Sequence, residues 1–274
     1  MILYTNGCSF TQGHEDHRII ESDTGHKKDD KVGYAEWAWP GCLEVYFDHV
    51  VNEAWVGGSN DRIFRRTLEY VRSVNNISDH VFIIQLTNPA RSEFFDPAAG
   101  VWTGTINDMI MYDDRSANSV IDKRVVKLLS EGQRDFEFYK LNNETIYTDF
   151  LSKLVAFDFA MSQLGCRILY TGLSSACTPM MIKRFLQEYT NNPVQYMQDS
   201  DLNEIYPAGV DMNTAKHHLA LIDSIADSED KFLHSMTSQI QNQIVSKEDS
   251  HPNKTGHDFF ARYILNELGS REII

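Results

Sequence analysis

The chain has 274 residues, 42% hydrophobic, 11% aromatic and 23% charged, a composition that excludes disordered, collagen-like and coiled-coil architectures and leaves enough chain for a substantial core. The 39 Asp and Glu outnumber the 25 Lys and Arg, giving a net charge of −14, which argues against nucleic acid or an anionic membrane as a partner and suits a neutral or cationic small substrate better. At roughly 150 residues per domain the length gives fewer than two, so one domain over 1–274 with insertions is expected.

The start, MILYTNGCSF, lacks the basic and long apolar regions of a secretion signal, and no apolar run approaches the ~20 residues that span a bilayer. A cytoplasmic or otherwise soluble protein is the expectation. Cys8, Cys42, Cys166 and Cys177 show no CxxC spacing, so they read as free thiols rather than a zinc site or disulfide framework.

Four runs bounded by polar turns read as strands: Ile2-Thr5, Val50-Ala54, Val81-Leu86 and Arg167-Thr171. They are apolar without strict alternation, as expected for a parallel sheet covered on both faces. Ser59-Asn60 caps a predicted helix carrying Ile63, Leu68 and Val71. Asn142 or Asn143 opens another that runs through Leu151, Leu154 and Phe159 to a stop at Gly165. A fifth, weaker strand is expected near Lys231-Leu233, and a last helix from about Thr255 to Leu268. Strands alternating with helices predict an α/β fold, a three-layer α/β/α sandwich with a mostly parallel, flavodoxin-like sheet of about five strands. The stretches at about 92–140 and 191–230 break the alternation and read as insertions.

In such folds ligands bind outside the carboxyl ends of the strands. The first strand ends in Asn6-Gly7-Cys8-Ser9, where a serine on a glycine turn before a helix is exposed to backbone N–H groups. It reads either as a nucleophile or as a helix cap. The second ends in Asn52-Glu53-Ala54-Trp55-Val56-Gly57-Gly58, whose glycines let N–H groups approach a ligand; no GxGxxG or P-loop pattern accompanies them. The third ends in Thr87-Asn88-Pro89-Ala90-Arg91, which offers an amide donor at Asn88 and a cation at Arg91, read as a substrate-binding group or as one half of a surface pair with Glu93. Near the C-terminus, Glu248-Asp249-Ser250-His251-Pro252-Asn253 combines a carboxylate with a histidine it can orient, leaving the other ring nitrogen as a base. His251 with His257 lacks HExxH spacing, and His14-Glu15-Asp16-His17 reads as a solvated loop before it reads as a metal site, so no metal and no cofactor are expected.

The ordered set of four segments resembles the SGNH hydrolases, the GDSL-like esterases and lipases. Ser9 matches the family's nucleophile, Gly57 its glycine block, Asn88 its asparagine block and His251-Pro252-Asn253 its histidine block. The resemblance implies a serine ester hydrolase with Ser9, His251 and a carboxylate as triad, an oxyanion hole from Ser9, Gly57 and Asn88, and a small-molecule or carbohydrate ester as substrate, with O-acetyl sugars as candidates. The chain departs from the pattern in reading Gly7-Cys8-Ser9 for GDS and Leu86-Thr87-Asn88-Pro89 for GxND. The family's Asp three residues before the histidine is Glu248 here, with Asp249 at minus two. Asp249 is preferred because Pro252 holds His251 extended, and residues two apart in extended chain share a face; Glu248 stays as the alternative. The rival class is a catalytically weak carbohydrate-binding or structural protein on the same scaffold, recognisable by exposed tryptophans among Trp37, Trp39, Trp55 and Trp102.

Overall fold

The computed structural model describes residues 1–13, 36–55, 57–89, 91–96, 101–106, 109–112, 143–174, 177–191, 210–225, 228–240, 243–244 and 251–274. Its centre is a parallel sheet of β1 (Ile2–Asn6), β2 (His49–Asn52), β3 (His80–Leu86) and β7 (Arg167–Gly172), in the order β2-β1-β3-β7. The register pairs Thr5 with Asn52, Asn6 with Ile84 and Leu86 with Gly172, so all four strands end at one edge. Phe232 adds a single parallel bridge beyond β7 at Tyr170. That bridge is all that forms of the fifth strand expected near Lys231-Leu233, because Ser228–Lys231 is helical. With it the order is the flavodoxin-like one, and the expected α/β class holds.

Strand β3 shows why the apolar runs were readable. Every residue of it is buried, since helices cover both faces and alternate side chains go to opposite layers. Phe82, Ile84 and Leu86 join the core cluster built on α3 (Asn60–Ser73) and α4 (Asn143–Gln163). Val81 and Ile83 join the cluster that holds Trp39, Phe260, Ile264 and Leu268, the last three from α9 (Lys254–Ser270). Two sequence-level boundaries hold locally. Ser59 Oγ accepts from the Arg62 N–H at 3.2 Å as the N-cap of α3, and Gly165 takes φ 71° just after α4 ends.

The remaining helices are α1 (Ser9–Gln12), α2 (Trp39–Cys42), α5 (Pro179–Asn191), α6 (Met212–Asp223), α7 (Ser228–Lys231) and α8 (Met236–Ile240). Within 92–140, β4 (Ser92–Asp96), β5 (Val101–Ile106) and β6 (Met109–Tyr112) form a separate antiparallel sheet. Arg65 of α3 fastens it by a bidentate pair with Glu93 at 2.6 and 2.9 Å. Within 191–230, α6 buries Ala215 and Ile222 in the α3/α4 core. Residues 113–142 and 192–209 lie outside the described residues.

One buried polar junction locks the far edge. Asp158 of α4 accepts from Lys231 Nζ at 2.9 and 3.0 Å and from the Tyr170 hydroxyl at 3.0 Å, joining α4, α7 and β7. Burial and the neighbouring carboxylate push the Tyr170 phenol well above its ordinary value. Removing one member of such a pair strands the other charge. Asp158→Ala should lower unfolding stability by about 3 kcal/mol in urea titrations, while pairing Asp158→Leu with Lys231→Met should restore most of it; equal losses in single and double variants would show the pair to be unimportant.

Candidate active site

The chain leaves β1 through Gly7 and enters α1 at Ser9. Cys8 occupies the N-cap position in extended conformation and makes no side-chain cap bond. Ser9 is therefore not a capping serine. Its Oγ lies 2.7 Å from His251 Nε2, a contact between residues 242 apart in sequence. The Ser9 N–H has no acceptor among the described residues, whereas those of Thr11 and Gln12 return to the Cys8 carbonyl at 3.0 and 3.1 Å.

The glycine segment after β2 packs directly on this turn. The Trp55 N–H donates to the Gly7 carbonyl at 3.2 Å, and Asn52 Nδ2 donates to the Thr11 carbonyl at 3.1 Å. A Cβ on Gly58 would stand 2.9 Å from the Gly7 carbonyl oxygen, so only glycine allows the approach. Gly57 has φ 73°, the left-handed region that glycine enters without cost. The Gly58 N–H is spent on the Trp55 carbonyl at 2.8 Å, while that of Gly57 has no acceptor among the described residues.

From below, Gln85 of β3 supports the same turn, a role the sequence reading passed over. Its Oε1 accepts from Thr11 Oγ1 at 2.7 Å, and its Nε2 donates to Met236 Sδ at 3.2 Å. A fully buried amide inside an apolar run must find partners, and that was the available signal. A Cβ on Gly7 would meet Thr11 Oγ1 at 2.3 Å and Gln85 Cβ at 3.0 Å.

His251 is presented from the other end of the chain. Pro252 forms an antiparallel bridge with Ile244. Asn253 caps α9, its Oδ1 accepting from the Gly256 N–H at 2.9 Å and its Nδ2 donating to the Ile244 carbonyl at 3.1 Å. The Phe10 ring lies against the imidazole at 4.6 Å between centroids. His257 is fully buried, its Nδ1 accepts from the Trp39 N–H at 3.1 Å, and Trp37 meets its ring edge-on. Burial first, and the neighbouring His251 second, push its pKa down to about 3.

At the end of β3 the amide roles are divided. Asn60, buried at the start of α3, holds both backbone groups of Thr87, accepting from its N–H and donating to its carbonyl at 2.9 Å each. Asn88, the sequence-predicted oxyanion donor, is exposed on the adjacent rim, and its carbonyl accepts from the Arg91 N–H at 3.1 Å. Arg91 Nη1 donates to Thr87 Oγ1 at 2.8 Å. Its expected companion Glu93 is the carboxylate bound by Arg65. Thus Ser9, His251 and the Gly57 turn are brought together, with Asn88 and Arg91 on the segment that follows β3, the strand next to β1. Asp249, Glu248 and His14 to His17 lie outside the described residues. Trp39 is fully buried, Trp37 and Trp55 are half-buried, and Arg62 lies 5.7 Å over the Trp55 ring. Among the described residues no cluster of His, Cys, Asp and Glu is arranged to hold a metal, and no helix is long and apolar enough to cross a membrane.

No protein-family model and no curated protein matches the chain. Among solved structures it is similar to the crystal structure of LAE5, an alpha/beta hydrolase enzyme from the metagenome of Lake Arreo, Spain, at 12% identity and a TM-score of 0.39 over 98% of this chain and 94% of that one.

The His257 pKa has a testable consequence. Between about 3 and 6.5 the native imidazole stays neutral while the unfolded chain takes up a proton. The unfolded state then binds more protons, so stability is full above 6.5 and is lost as pH falls through that window. His257→Asn, which keeps an acceptor near Nδ1, should flatten the fall in urea stability between pH 7.5 and 5 by up to about 1.4 kcal/mol per pH unit. An unchanged slope would refute it.

Proposed function

We propose that the chain is a serine hydrolase of the SGNH type that cleaves a small ester, with a small-molecule or carbohydrate ester as substrate and an acetylated sugar as one candidate. The observation that carries this reading is the 2.7 Å contact between Ser9 Oγ and His251 Nε2 at the carboxyl edge of a parallel sheet. A hydroxyl paired with an imidazole at this distance is the arrangement that nucleophilic catalysis requires.

In the proposed reaction His251 Nε2 accepts the hydroxyl proton as Ser9 Oγ bonds to the ester carbonyl carbon. The carbonyl π electrons pass to its oxygen, which is held by the Ser9 and Gly57 N–H groups and the Asn88 amide. The intermediate then collapses, breaking the bond to the alcohol, which leaves with the proton from His251. Water repeats the sequence on the acyl-serine and regenerates Ser9. Asp249, or Glu248, holds the other imidazole nitrogen so that Nε2 stays unprotonated between cycles.

A fluorophosphonate probe should label Ser9, as read by mass mapping of the adduct. Ser9→Ala should abolish labelling and lower kcat on a short-chain aryl ester by about 10⁴- to 10⁶-fold with an unchanged unfolding midpoint. Activity within tenfold of the parent would overturn Ser9 as the nucleophile, and no adduct on Ser9 together with no ester turnover would leave the rival reading of a binding or structural protein. The carboxylate is assigned by a matched pair of variants. Asp249→Asn should cut kcat by up to about 10⁴-fold while Glu248→Gln alters it little; the opposite result would give the role to Glu248.

A further inference from the structure

The rim of the site carries a cation, Arg91, whose charge no carboxylate answers among the described residues. Arg91 is half-buried, and one of its five guanidinium N–H groups is engaged, by the Thr87 hydroxyl at 2.8 Å. Among the described residues no carboxylate lies within ion-pair distance of it. Glu93, two residues along the chain, is committed to Arg65 at 2.6 Å. Arg91 therefore forms no surface ion pair among the described residues.

Its mounting is rigid. Thr87 is fully buried, and both of its backbone polar atoms are held by Asn60. Because β3 lies beside β1 with Ile84 opposite Asn6, residues 87–91 and 7–9 leave adjacent strands at the same edge. A planar fork with free donors matches a carboxylate or phosphate in bidentate geometry.

We propose that Arg91 determines specificity at the Ser9 site, and that the ester accepted there carries an anionic oxyacid group, a carboxylate or a phosphate, beside the scissile bond. This rests on the serine hydrolase reading. The guanidinium binds the anion while Ser9 attacks the carbonyl, so the charge positions the ester rather than taking part in bond making. The overall charge of −14 does not oppose this, because at physiological ionic strength fields are screened beyond about 8 Å.

The test uses 4-methylphenyl acetate as the neutral ester, with 4-acetoxybenzoate, 4-acetoxyphenyl phosphate and mono-4-nitrophenyl glutarate as anionic ones. These arms separate carboxylate from phosphate, and an anion on the leaving group from one on the acyl group. The wild-type protein should favour at least one anionic ester in kcat/KM. Arg91→Gln should reduce that preference by about 10- to 100-fold, mainly through KM, with Arg91→Lys intermediate because it keeps the charge without the fork. A wild-type preference for the neutral ester, or equal losses on both kinds, would overturn the assignment. In a Ser9→Ala background, binding of the same anionic esters followed by NMR should weaken on adding Arg91→Gln, and this arm reads out even where no ester is turned over. Failure of the hydrolase reading shows separately, as absence of the Ser9 fluorophosphonate adduct.

Discussion

The serine turn is wedged where no side chain fits. A Cβ at Gly7 would meet Thr11 Oγ1 at 2.3 Å, and one at Gly58 would meet the Gly7 carbonyl at 2.9 Å. The ends of β1 and β2 therefore close on one another as backbone against backbone, with the Gln85 side chain of β3 bonded to Thr11 beneath and the Trp55 N–H bonded to Gly7 beside. The position of Ser9 follows from this packing. A larger residue at either glycine would have to push apart the loops that leave β1 and β2, and the serine with them.

The histidine side is built independently and arrives at the same place. A hydrogen bond contributes a net 0.5 to 1.5 kcal/mol, roughly, whereas burying one large apolar side chain contributes about 1.5 to 3. Phe260, Ile264 and Leu268 are all fully buried where α9 meets the sheet. Packing of α9 thus positions His251, and the contact with Ser9 is a result of that packing rather than its cause. The short block after His251 makes the handover exact to the residue: Pro252 pairs with Ile244, Asn253 starts the helix, and Gly256 clears the Gln243 carbonyl, which a Cβ would meet at 2.4 Å.

The same logic explains what could be read in advance. The strands were legible because burial makes their centres apolar, most completely in β3, while edge strand β2 offers only Val50-Val51; Ser59 and Gly165 mark helix ends by local chemistry that needs no tertiary partner. Ser9 and His251 were legible through their order along the chain and their places at strand and helix ends. The β4 to β6 sheet was not, since it forms by antiparallel pairing among short segments such as SEFFD and MIMY whose pattern is weak in isolation. The fifth strand shrank to one bridge because Lys231 is drawn into a helix where it reaches Asp158, a partner 73 residues away that no local pattern reveals. Gln85 was passed over for the converse reason: its neighbours look like core, and its meaning appears only once Thr11 stands opposite it.

On the proposed reading, the loop after β3 serves both structure and recognition. Asn60 spends its amide on the Thr87 backbone, which fixes the start of the loop and leaves Asn88 and Arg91 beyond it. Its energetic return is rigidity, because a buried amide with both groups satisfied cannot leave without stranding the Thr87 N–H and carbonyl. A long, flexible arginine on a mobile loop would lose rotamer freedom on meeting an anion. Held instead through Thr87 on a strand end that Asn60 has already immobilised, Arg91 keeps its fork in place before a ligand arrives, and less of the binding energy is then lost to ordering. The buried Asn60 thus fixes Thr87, through which Arg91 is held at the rim.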